Sequence, residues 1–405
     1  MMSTSTLTSL DQAQSILEHK LHPQGVGETL ALSDADGRIL AQDIHSAIDV
    51  PGFDSSAMDG FVLCVQDLQH QEPMLISQTI LAGHVGQPLQ AGTAARIFTG
   101  APIPSGADAV VIQEDTEVSD STLRLLHAPQ PGENIRKRGH DIQAGTRVLE
   151  QGHRLRPQDI GLLASLGISQ LEVYKPLRVA IINTGDELIS PGKQLQAGQI
   201  YDSNSFTLES LLTRLGMQVI RAGIVKDDLL STCNALEQAA AEADCIISSG
   251  GVSVGEADYV KAALEKLGTL SLWKLAIKPG KPFSFGTIGS TPFFGLPGNP
   301  VAVFVTFLLL VKPCLLRMQG ASGPRMQGLQ LASGFDRDNS GIRDEFLRVR
   351  LETNAQGLVH LVAFENQGSS VLNSLSWADG LALLPAKSAI RQGELLTYLP
   401  FSGLL

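Results

Sequence analysis

The sequence has few of the features that mark disulfide-bonded, zinc-ribbon or nucleic-acid-binding proteins. Only four cysteines occur in 405 residues, Cys64, Cys233, Cys245 and Cys314, and none stands in a CxxC pair. This scatter argues against a zinc ribbon or a disulfide framework, so we expect buried free thiols in a reducing compartment. Basic residues are outnumbered, with 30 Lys and Arg against 41 Asp and Glu, and the formal net charge is −11. A general nucleic-acid-binding protein would need the opposite sign.

Long hydrophobic runs are also missing. The most apolar run covers residues 301–311 and stops at Lys312 and Pro313, which is too short to cross a bilayer. The N-terminal residues lack a basic start followed by an apolar core, so they do not have the pattern of a secretory signal. We therefore predict a cytoplasmic protein that binds neither membrane nor nucleic acid.

What the chain does contain is a globular composition whose pattern changes along its length. Apolar residues make up 43% and charged residues 18%, and the length suggests several domains. Residues 7–20 and 154–166 have apolar residues at helical spacing. Short apolar pieces between Gly and Pro signals predict β-rich structure at 47–139 and again, as a small barrel, after 328. Between 177 and 320, alternating strands and helices predict a mainly parallel sheet covered on both faces.

Three strands of this predicted sheet end in acidic loops. Asp186 and Glu187 follow VAIIN, Asp227 follows AGIVK, and Asp258 lies in the stretch SSGGVSVGEADYV at 248–260. Because the carboxyl ends of parallel strands meet at one edge, we expect these carboxylates to converge there. Oxygen ligands of this kind suit a hard cation that bridges to a phosphate. The alternative is a set of solvated loops, with Asp258 acting as a helix cap.

The glycines of the same stretch favour a ligand close to the backbone. Gly250, Gly251 and Gly255 lack a Cβ atom, so a ligand can approach the main chain. The amides from Gly251 to Ser253 could then donate to an anion. The pattern GGVSVG matches neither a Walker A loop nor GxGxxG, so it is a weak signal by itself.

The segment WKLAIKPGKPFSFG concentrates positive charge in an acidic chain. Lys274, Lys278 and Lys281 fall within eight residues, and two prolines restrict the loop between them. A rigid loop with two lysines suits an oxyanion such as phosphate or molybdate. The alternative is a solvated hairpin with ordinary surface lysines.

Other candidates are left open by the residues alone. PGFDSSAMDGF, at 51–61, places Asp54 and Asp59 in an irregular stretch, either as a tight turn or as a carboxylate presented at a site. The basic run NIRKRGHD, at 134–141, is more typical of a solvated face than of a phosphate site. The nine histidines show no metal-ligand spacing.

Taken together, the motifs resemble one family. PGFDSSAMDGF, RIFTGAPIPSGADAVVIQED, GENIRKRGHDI, NTGDEL, SGGVSVGEADYV, KPGKPFSFG and GLPGNPVAVFVTF occur in the order seen in molybdopterin molybdenumtransferases. The eukaryotic relative of that family is the C-terminal half of gephyrin. The similarity runs from about residue 7 to the end, and the sequence departs from the family pattern at His140 and Val254.

The resemblance implies a multidomain fold of α/β and β parts. A helical linker domain would comprise residues 1–46 and 140–176, and a β-rich arm would be inserted at 47–139. A parallel-sheet α/β molybdopterin-binding domain would follow at 177–327, and a C-terminal β-barrel domain at 328–405. The resemblance also implies an elongated homodimer, whose cleft combines the α/β and barrel domains of one subunit with the arm of the other. Other proteins of molybdenum cofactor biosynthesis are possible partners.

The resemblance further implies the reaction and its residues. Molybdate is inserted into adenylylated molybdopterin, and AMP leaves in a step that uses Mg²⁺. The implied catalytic residues are Asp59, Glu187, Asp227 and Asp258. The implied metal ligands are Asp186, Glu187, Asp227 and Asp258. The implied substrate-binding residues are Thr99, Gly250, Gly251, Ser253, Lys274, Lys278, Lys281, Arg348 and Ser369.

Two other functions use related structures. One is a scaffold of the gephyrin type without catalysis, although scaffolding needs neither the acidic set nor the KPGKP loop. The other is the molybdopterin adenylyltransferase reaction one step earlier, which needs only the α/β domain and would leave the arm and barrel unexplained.

Overall fold

The computed structural model describes residues 7–69, 73–250, 259–323 and 328–404. Its helices are α1 (Leu10–Lys20), α2 (Pro157–Ser165), α3 (Ser203–Arg214), α4 (Leu229–Glu242), α5 (Tyr259–Leu267), α6 (Pro300–Thr306), α7 (Lys312–Met318), α8 (Asn373–Trp377) and α9 (Phe401–Leu404). Short 3₁₀ turns lie at Leu32–Asp34, Val65–Gln69 and Gln113–Asp115, and a π-helical turn lies at Phe307–Val311.

The strands fall into groups that follow the chain. The first group is β1 (Gly27–Ala31), β2 (Ile44–His45), β3 (Ser55–Ser56), β4 (Gly60–Leu63), β5 (Met74–Ile80), β6 (Thr93–Ile97), β7 (Ala109–Ile112), β8 (Thr116–Ser119), β9 (Thr122–Leu125), β10 (Ile135–Arg136), β11 (Arg147–Leu149) and β12 (Gln170–Tyr174). The second is β13 (Arg178–Thr184), β14 (Leu188–Ile189), β15 (Ile200–Tyr201), β16 (Gln218–Val225), β17 (Cys245–Ser249), β18 (Gly268–Lys274), β19 (Ile277–Lys278), β20 (Pro282–Ile288) and β21 (Thr291–Leu296). The third is β22 (Leu329–Ser333), β23 (Arg337–Asn339), β24 (Asp344–Thr353), β25 (Val359–Ala363), β26 (Gly380–Leu384), β27 (Ser388–Ile390) and β28 (Leu395–Pro400).

The second group forms the six-stranded sheet of the α/β unit. Its strand order is β16-β13-β17-β21-β20-β18. The first four strands pair in parallel, and β20 pairs antiparallel with both β21 and β18. The mainly parallel sheet predicted from the alternating pattern is therefore confirmed. The chain runs from β13 to β16 on one side and then crosses to β17 on the other. This reversal opens a crevice at the carboxyl ends of β13 and β17, where open α/β sheets bind ligands.

One long helix packs on one face of the α/β sheet. Within residues 300–318, an 18-residue window has a mean hydropathy of 2.0 and 78% of that window is buried inside the protein, as the apolar sequence predicted. The helix is long and apolar enough to span a membrane, which the length of the apolar run had not suggested, but its burial is that of a core helix. It continues past Pro313, which cannot donate to the carbonyl of Leu309. The side chain of Gln14 donates to that carbonyl instead, at 3.0 Å.

Helix α1 provides that side chain because it packs on the α/β unit. Ala13 and Leu17 are fully buried in the same hydrophobic cluster as the long helix. Ser9 and Gln12 form a capping box at its start. The helix predicted at 7–20 is present, but its apolar face contacts the α/β core, while a separate cluster that includes Leu40 and Leu163 holds the linker strands and α2 together.

The arm and the barrel account for the remaining sheets. The arm is a six-stranded sheet of order β7-β4-β6-β5-β9-β8 with a small apolar cluster on each face. The barrel closes through β24-β25-β22-β28-β26 and a return pairing of β26 with β24, so the predicted barrel is confirmed. Strand β19 adds to the barrel in parallel, with Lys278 opposite Glu345. The segment that contains KPGKP therefore connects the α/β unit to the barrel.

The four cysteines are free thiols, as predicted. Cys64 is half-buried, and the other three are buried. Burial raises the pKa of the Cys245 and Cys314 thiols, which disfavours the reactive thiolate form.

Candidate active site

The acidic strand ends predicted from the sequence lie side by side. Strands β16, β13 and β17 are neighbours, so the residues that follow them share one edge of the sheet. The backbone N–H of Asp227 donates to Oδ1 of Asp186 at 3.4 Å. Burial raises the pKa of Asp227, and the negative charges of Asp186 and Glu187 add to that rise. Three of the four predicted carboxylates are therefore close enough to repel one another.

This repulsion is what a divalent cation would relieve, and the oxygen donors suit magnesium. Within the residues that the structure describes, no three carboxylate, histidine or cysteine side chains already form a metal-binding cluster. The fourth predicted ligand, Asp258, lies outside the described residues. The neighbouring Asp228 caps helix α4 by accepting from the N–H of Ser231 at 2.8 Å, so it is a structural residue.

The backbone at the end of β17 passes close to the end of β13. Gly250 has a φ of 89°, and a Cβ atom there would lie 2.9 Å from the carbonyl oxygen of Thr184. Only glycine fits both conditions. The other predicted residues of this loop, Gly251 and Ser253, lie outside the described residues, and their roles stay predictions.

Two unpaired acceptors near these strand ends were not predicted. Nδ2 of Asn204 donates to Ser249 Oγ at 2.7 Å and to the carbonyl of Gly298 at 2.8 Å. This bridges the end of β17 to the GLPGNP loop. Among the described residues, Oδ1 of Asn204 and Oγ1 of Thr184 are buried without a hydrogen-bond partner. A ligand with hydrogen-bond donors would satisfy them.

A pocket with a lysine and an arginine in its lining lies on the barrel side. Nζ of Lys278 is 2.8 Å from Oε1 of Glu345. Arg337 binds the same carboxylate through two hydrogen bonds of 2.9 Å. Burial alone would raise the pKa of Glu345, but the hydrogen bonds from Arg337 and Lys278 outweigh burial and lower it. Neither Arg337 nor Glu345 was predicted, because no motif marks them and only the β19–β24 and β23 geometry brings them to Lys278.

The KPGKP loop is held tightly between the two units. Gly280 has a φ of 114°, and a Cβ atom there would lie 2.5 Å from Cγ2 of Thr306 in the long helix. The carbonyl of Lys281 accepts from the N–H of Leu275 at 3.0 Å, which closes the loop. Lys281 is exposed and Lys274 is half-buried at the end of β18. The rigidity expected from the two prolines is therefore matched by packing.

Arg348 does not face this pocket as a free guanidinium. Its side chain is 1% exposed, and burial lowers its pKa to about 10. It donates to Oγ of Ser374 and to the carbonyl of Gly368, both at 3.1 Å. The residue predicted to contact substrate directly thus lies behind the loop that lines the pocket and holds it. The next residue, Ser369, accepts through its carbonyl from the N–H of Val301 at the start of α6.

The pocket itself is open and has a volume of about 650 Å³. It combines the lysine of the connecting segment with strand β23, which pairs with β27 beside the barrel, and with the barrel loop that follows β25. Its lining residues are Lys278, Arg337, Glu365, Asn366, Gln367 and Gly368.

In the arm, two predicted site residues are joined. Oδ1 of Asp59 accepts from the backbone N–H of Thr99 at 2.8 Å and from its hydroxyl at 2.9 Å. These two bonds lower the pKa of Asp59. Asp54, by contrast, is tied to Lys137 and to the N–H of Arg138, both at 2.8 Å. Of the two aspartates that the sequence left open, Asp54 stabilises the arm, and Asp59 is exposed together with Thr99.

Comparison with known proteins gives a consistent result along the whole chain. Residues 8–167 match the model of the MoeA N-terminal region, domains I and II. Residues 180–317 match a probable molybdopterin binding domain, and residues 330–401 match the MoeA C-terminal region, domain IV.

Individual relatives cover nearly the full length. The chain is 41% identical to the molybdopterin molybdenumtransferase of Haemophilus influenzae, over 98% of this chain and 100% of the relative. It is 34% identical to gephyrin of Dictyostelium discoideum, over 95% of this chain and 61% of the longer relative. The crystal structure of the molybdopterin biosynthesis moeA protein of Pyrococcus horikoshii superposes with a TM-score of 0.85 at 30% identity, over 98% and 100% of the two chains. The resemblance predicted from the motifs is confirmed, and the chain belongs to the molybdopterin molybdenumtransferase family, whose members act in molybdenum cofactor biosynthesis.

Proposed function

We propose that this protein inserts molybdate into adenylylated molybdopterin in the cytoplasm, with magnesium-dependent release of AMP. The observation that supports this most directly is the pairing of two oppositely charged regions in one chain of this family. Acidic strand ends lie at the crevice of the α/β sheet, and a pocket that presents Lys278 and Arg337 lies where that unit meets the barrel. An anionic substrate with a phosphoanhydride needs both a cation and fixed positive charge.

The acidic edge would serve the adenylate. Asp186, Glu187, Asp227 and Asp258 are the residues that would hold magnesium. When bound, the ion would offset negative charge as the phosphoanhydride is cleaved. Gly250 keeps the backbone free of a side chain at the crevice, where Gly251 and Ser253 are proposed to contact the substrate. The unpaired acceptors of Asn204 and Thr184 would receive hydrogen bonds from it.

The basic region would serve molybdate. Lys274, Lys278 and Lys281 border one rigid loop, and a dianion there would gain charge-assisted hydrogen bonds. Arg348 and Ser369 act on this region by holding the neighbouring barrel loop against the start of α6.

The arm would complete the site of a partner subunit. Asp59 and Thr99 form an exposed pair, and no contact in the described part of the chain joins them to the acidic edge or to Lys278. In a two-fold homodimer, each arm could reach the other subunit's cleft, which gives two composite sites. Other proteins of molybdenum cofactor biosynthesis would be partners for substrate delivery or product transfer.

The decisive experiment follows AMP release. Purified protein is mixed with adenylylated molybdopterin, magnesium and molybdate, and AMP is quantified with each component omitted in turn. AMP formation that needs both metal and molybdate is expected. A second mixture contains molybdopterin and ATP without molybdate. A scaffold would release no AMP in the first mixture, and an adenylyltransferase would consume ATP in the second, so either result would contradict the proposal.

A further inference from the structure

Glu345 is an unusual residue for the interior of a barrel strand. Its side chain is only 4% exposed, yet it carries a charge. It accepts from Nε and Nη2 of Arg337 at 2.9 Å each, and Nζ of Lys278 lies 2.8 Å away. A buried carboxylate is tolerated only when it is paired and hydrogen-bonded. The pairing therefore satisfies the carboxylate and also holds the two cationic side chains in place.

The cluster has more positive charge than Glu345 neutralises. Two cations surround one carboxylate, and the side chains of Arg337 and Lys278 are 29% and 50% exposed on the pocket side. Within the described residues, Nη1 of Arg337 makes no hydrogen bond, and the ammonium of Lys278 has donors beyond the one facing Glu345. The exposed Glu365 also lines the pocket and offsets the remaining positive charge. What remains for a ligand is therefore a set of oriented donors from Arg337 and Lys278.

The opposite wall of the pocket is also held in place. The side chain of Gln367 accepts from the N–H of Arg348 at 2.9 Å and donates to the carbonyl of Phe364 at 2.9 Å. The carbonyl of Gly368 accepts from the Arg348 guanidinium. Two preorganised walls with donors on one of them favour a small, compact anion, because little ordering remains to be done on binding.

We infer that Arg337 and Lys278 together bind one tetrahedral, doubly charged oxyanion, and that Glu345 positions both of them. Arg337 is thereby the guanidinium that contacts the anion, whereas Arg348 holds the loop behind it. The inference rests on the proposed function for the identity of the anion. Molybdate and the phosphate of the adenylate share the same chemistry, and the pocket's place on the barrel side, whose lining includes none of the acidic strand ends, favours molybdate.

The test measures binding without turnover. Sodium molybdate alone and AMP alone are titrated into the full-length protein by calorimetry. Arg337→Gln removes charge-assisted hydrogen bonds worth roughly 1.5–3 kcal/mol, so molybdate affinity should fall by about tenfold or more. Arg391→Gln is the matched control. Arg391 pairs with exposed Asp338 at 2.8 Å beside the same short sheet but does not line the pocket, so its loss should leave binding unchanged.

The role of Glu345 is tested by whether its substitution raises or lowers the affinity for molybdate. Glu345→Gln removes a negative charge beside the anion, so charge alone would strengthen molybdate binding. A positioning role predicts weaker binding, because Arg337 loses its two-bond anchor. The melting temperature is recorded to confirm folding, and Arg337→Lys, which keeps the charge but loses the planar fork, should bind with intermediate affinity. Stronger binding by Glu345→Gln would overturn the positioning role.

The remaining outcomes separate this inference from the proposed function. If Arg337→Gln weakens AMP binding and leaves molybdate binding intact, the oxyanion is the adenylate phosphate. Folded Arg337 variants that bind both anions like the wild type would overturn the inference, and so would a wild type that binds neither. If the wild type binds molybdate, Arg337→Gln weakens that binding and the wild type releases no AMP, the proposed function is wrong but the anion site stands. If Arg337→Gln releases AMP normally and its KM for molybdate is unchanged, the anion site is wrong but the proposed function stands.

Discussion

At the scale of single residues, two adjacent aspartates after strand β16 have different surroundings. Asp227 is half-buried next to Asp186 and Glu187, and its pKa is raised. Asp228 caps helix α4 through the backbone N–H and the hydroxyl of Ser231, and these bonds lower its pKa. One carboxylate therefore costs free energy that a bound cation would recover, whereas the other stabilises a helix.

The first prediction uses this pair. Asp227→Asn keeps the shape but removes a charge from the acidic edge, so AMP release should fall at least tenfold and require more magnesium. Asp228→Asn is the matched control, because Asn is also a good N-cap and the magnesium dependence should stay unchanged. Rates are measured over a magnesium titration. Identical curves for Asp227→Asn and wild type would remove Asp227 from the metal site.

The second prediction concerns pH. The hydrogen bonds from Arg156 and His153 hold the pKa of buried Asp159 well below its ordinary value near 3.9. A lowered pKa in the folded state contributes stability above the unfolded value, and this contribution is lost as pH falls through the folded pKa. Asp159→Asn should therefore lower the melting temperature by a few degrees at pH 7, and the difference should narrow below about pH 4.

Thermal unfolding at pH 7, 5 and 3 measures the effect. Asp338→Asn serves as the control, since Asp338 is 71% exposed in its ion pair with Arg391 and surface pairs contribute little. A gap between Asp159→Asn and wild type that stays constant with pH would show that the loss comes from packing rather than charge.

The sequence patterns predicted those site residues that follow a recognisable strand end or lie in a loop with a family motif. Asp186, Asp227 and Lys278 belong to this class. Arg337 and Glu345 do not, because they come from strands without a motif and meet Lys278 only through barrel pairing. Their ion pair depends on how the strands are aligned with one another. The local sequence pattern does not determine the register between strands that are far apart in the chain.

At the scale of elements, the long helix and α1 depend on one another. Pro313 leaves the carbonyl of Leu309 without its helical donor, and Gln14 of α1 supplies one. The amphipathic pattern predicted helix α1 itself. It did not show which core α1 joins, because the unpaired carbonyl becomes visible only when the helix continues through proline.

The third prediction follows from that bond. Gln14→Ala should leave a buried carbonyl unsatisfied and lower the free energy of unfolding by about 1–3 kcal/mol. Gln238→Ala is the control, because within the described part of the chain its side chain bonds to Glu242 alone, on the exposed face of α4. Both variants are compared by urea denaturation. Equal stability of the two variants would mean that another group donates a hydrogen bond to the carbonyl of Leu309.

At the scale of the whole molecule, the charged regions and the arm lie on separate units of one chain. The strand-and-helix alternation and the short β pieces predicted these units well, because each unit has its own periodicity and its own core. The placement of one unit against another depends on contacts such as Lys278 with Glu345, which no local pattern encodes.

The fourth prediction tests the shared site. Asp59→Ala and Lys278→Ala should each be nearly inactive as homodimers. In a mixed dimer purified with two tags, one composite site carries both changes and the other carries neither. Activity should recover to about half of wild type, one of the two sites implied by two-fold symmetry. A mixed dimer as inactive as its parents would place Asp59 and Lys278 in the same subunit's site or make the two sites interdependent.

The contact between Gln14 and Leu309 also has a consequence for biosynthesis. The two residues are 295 positions apart, so α1 leaves the ribosome long before the helix that it completes. Contacts between such distant positions form slowly, because the intervening chain must first lose its conformational freedom. Until then the apolar segment 300–318 is exposed, and exposed apolar segments aggregate or bind chaperones. Helix α1 is already available when this segment emerges, but the barrel residues Phe346, Leu381 and Leu399, which share its hydrophobic cluster, are translated later. The part of the nascent chain that most needs burial therefore waits for the barrel.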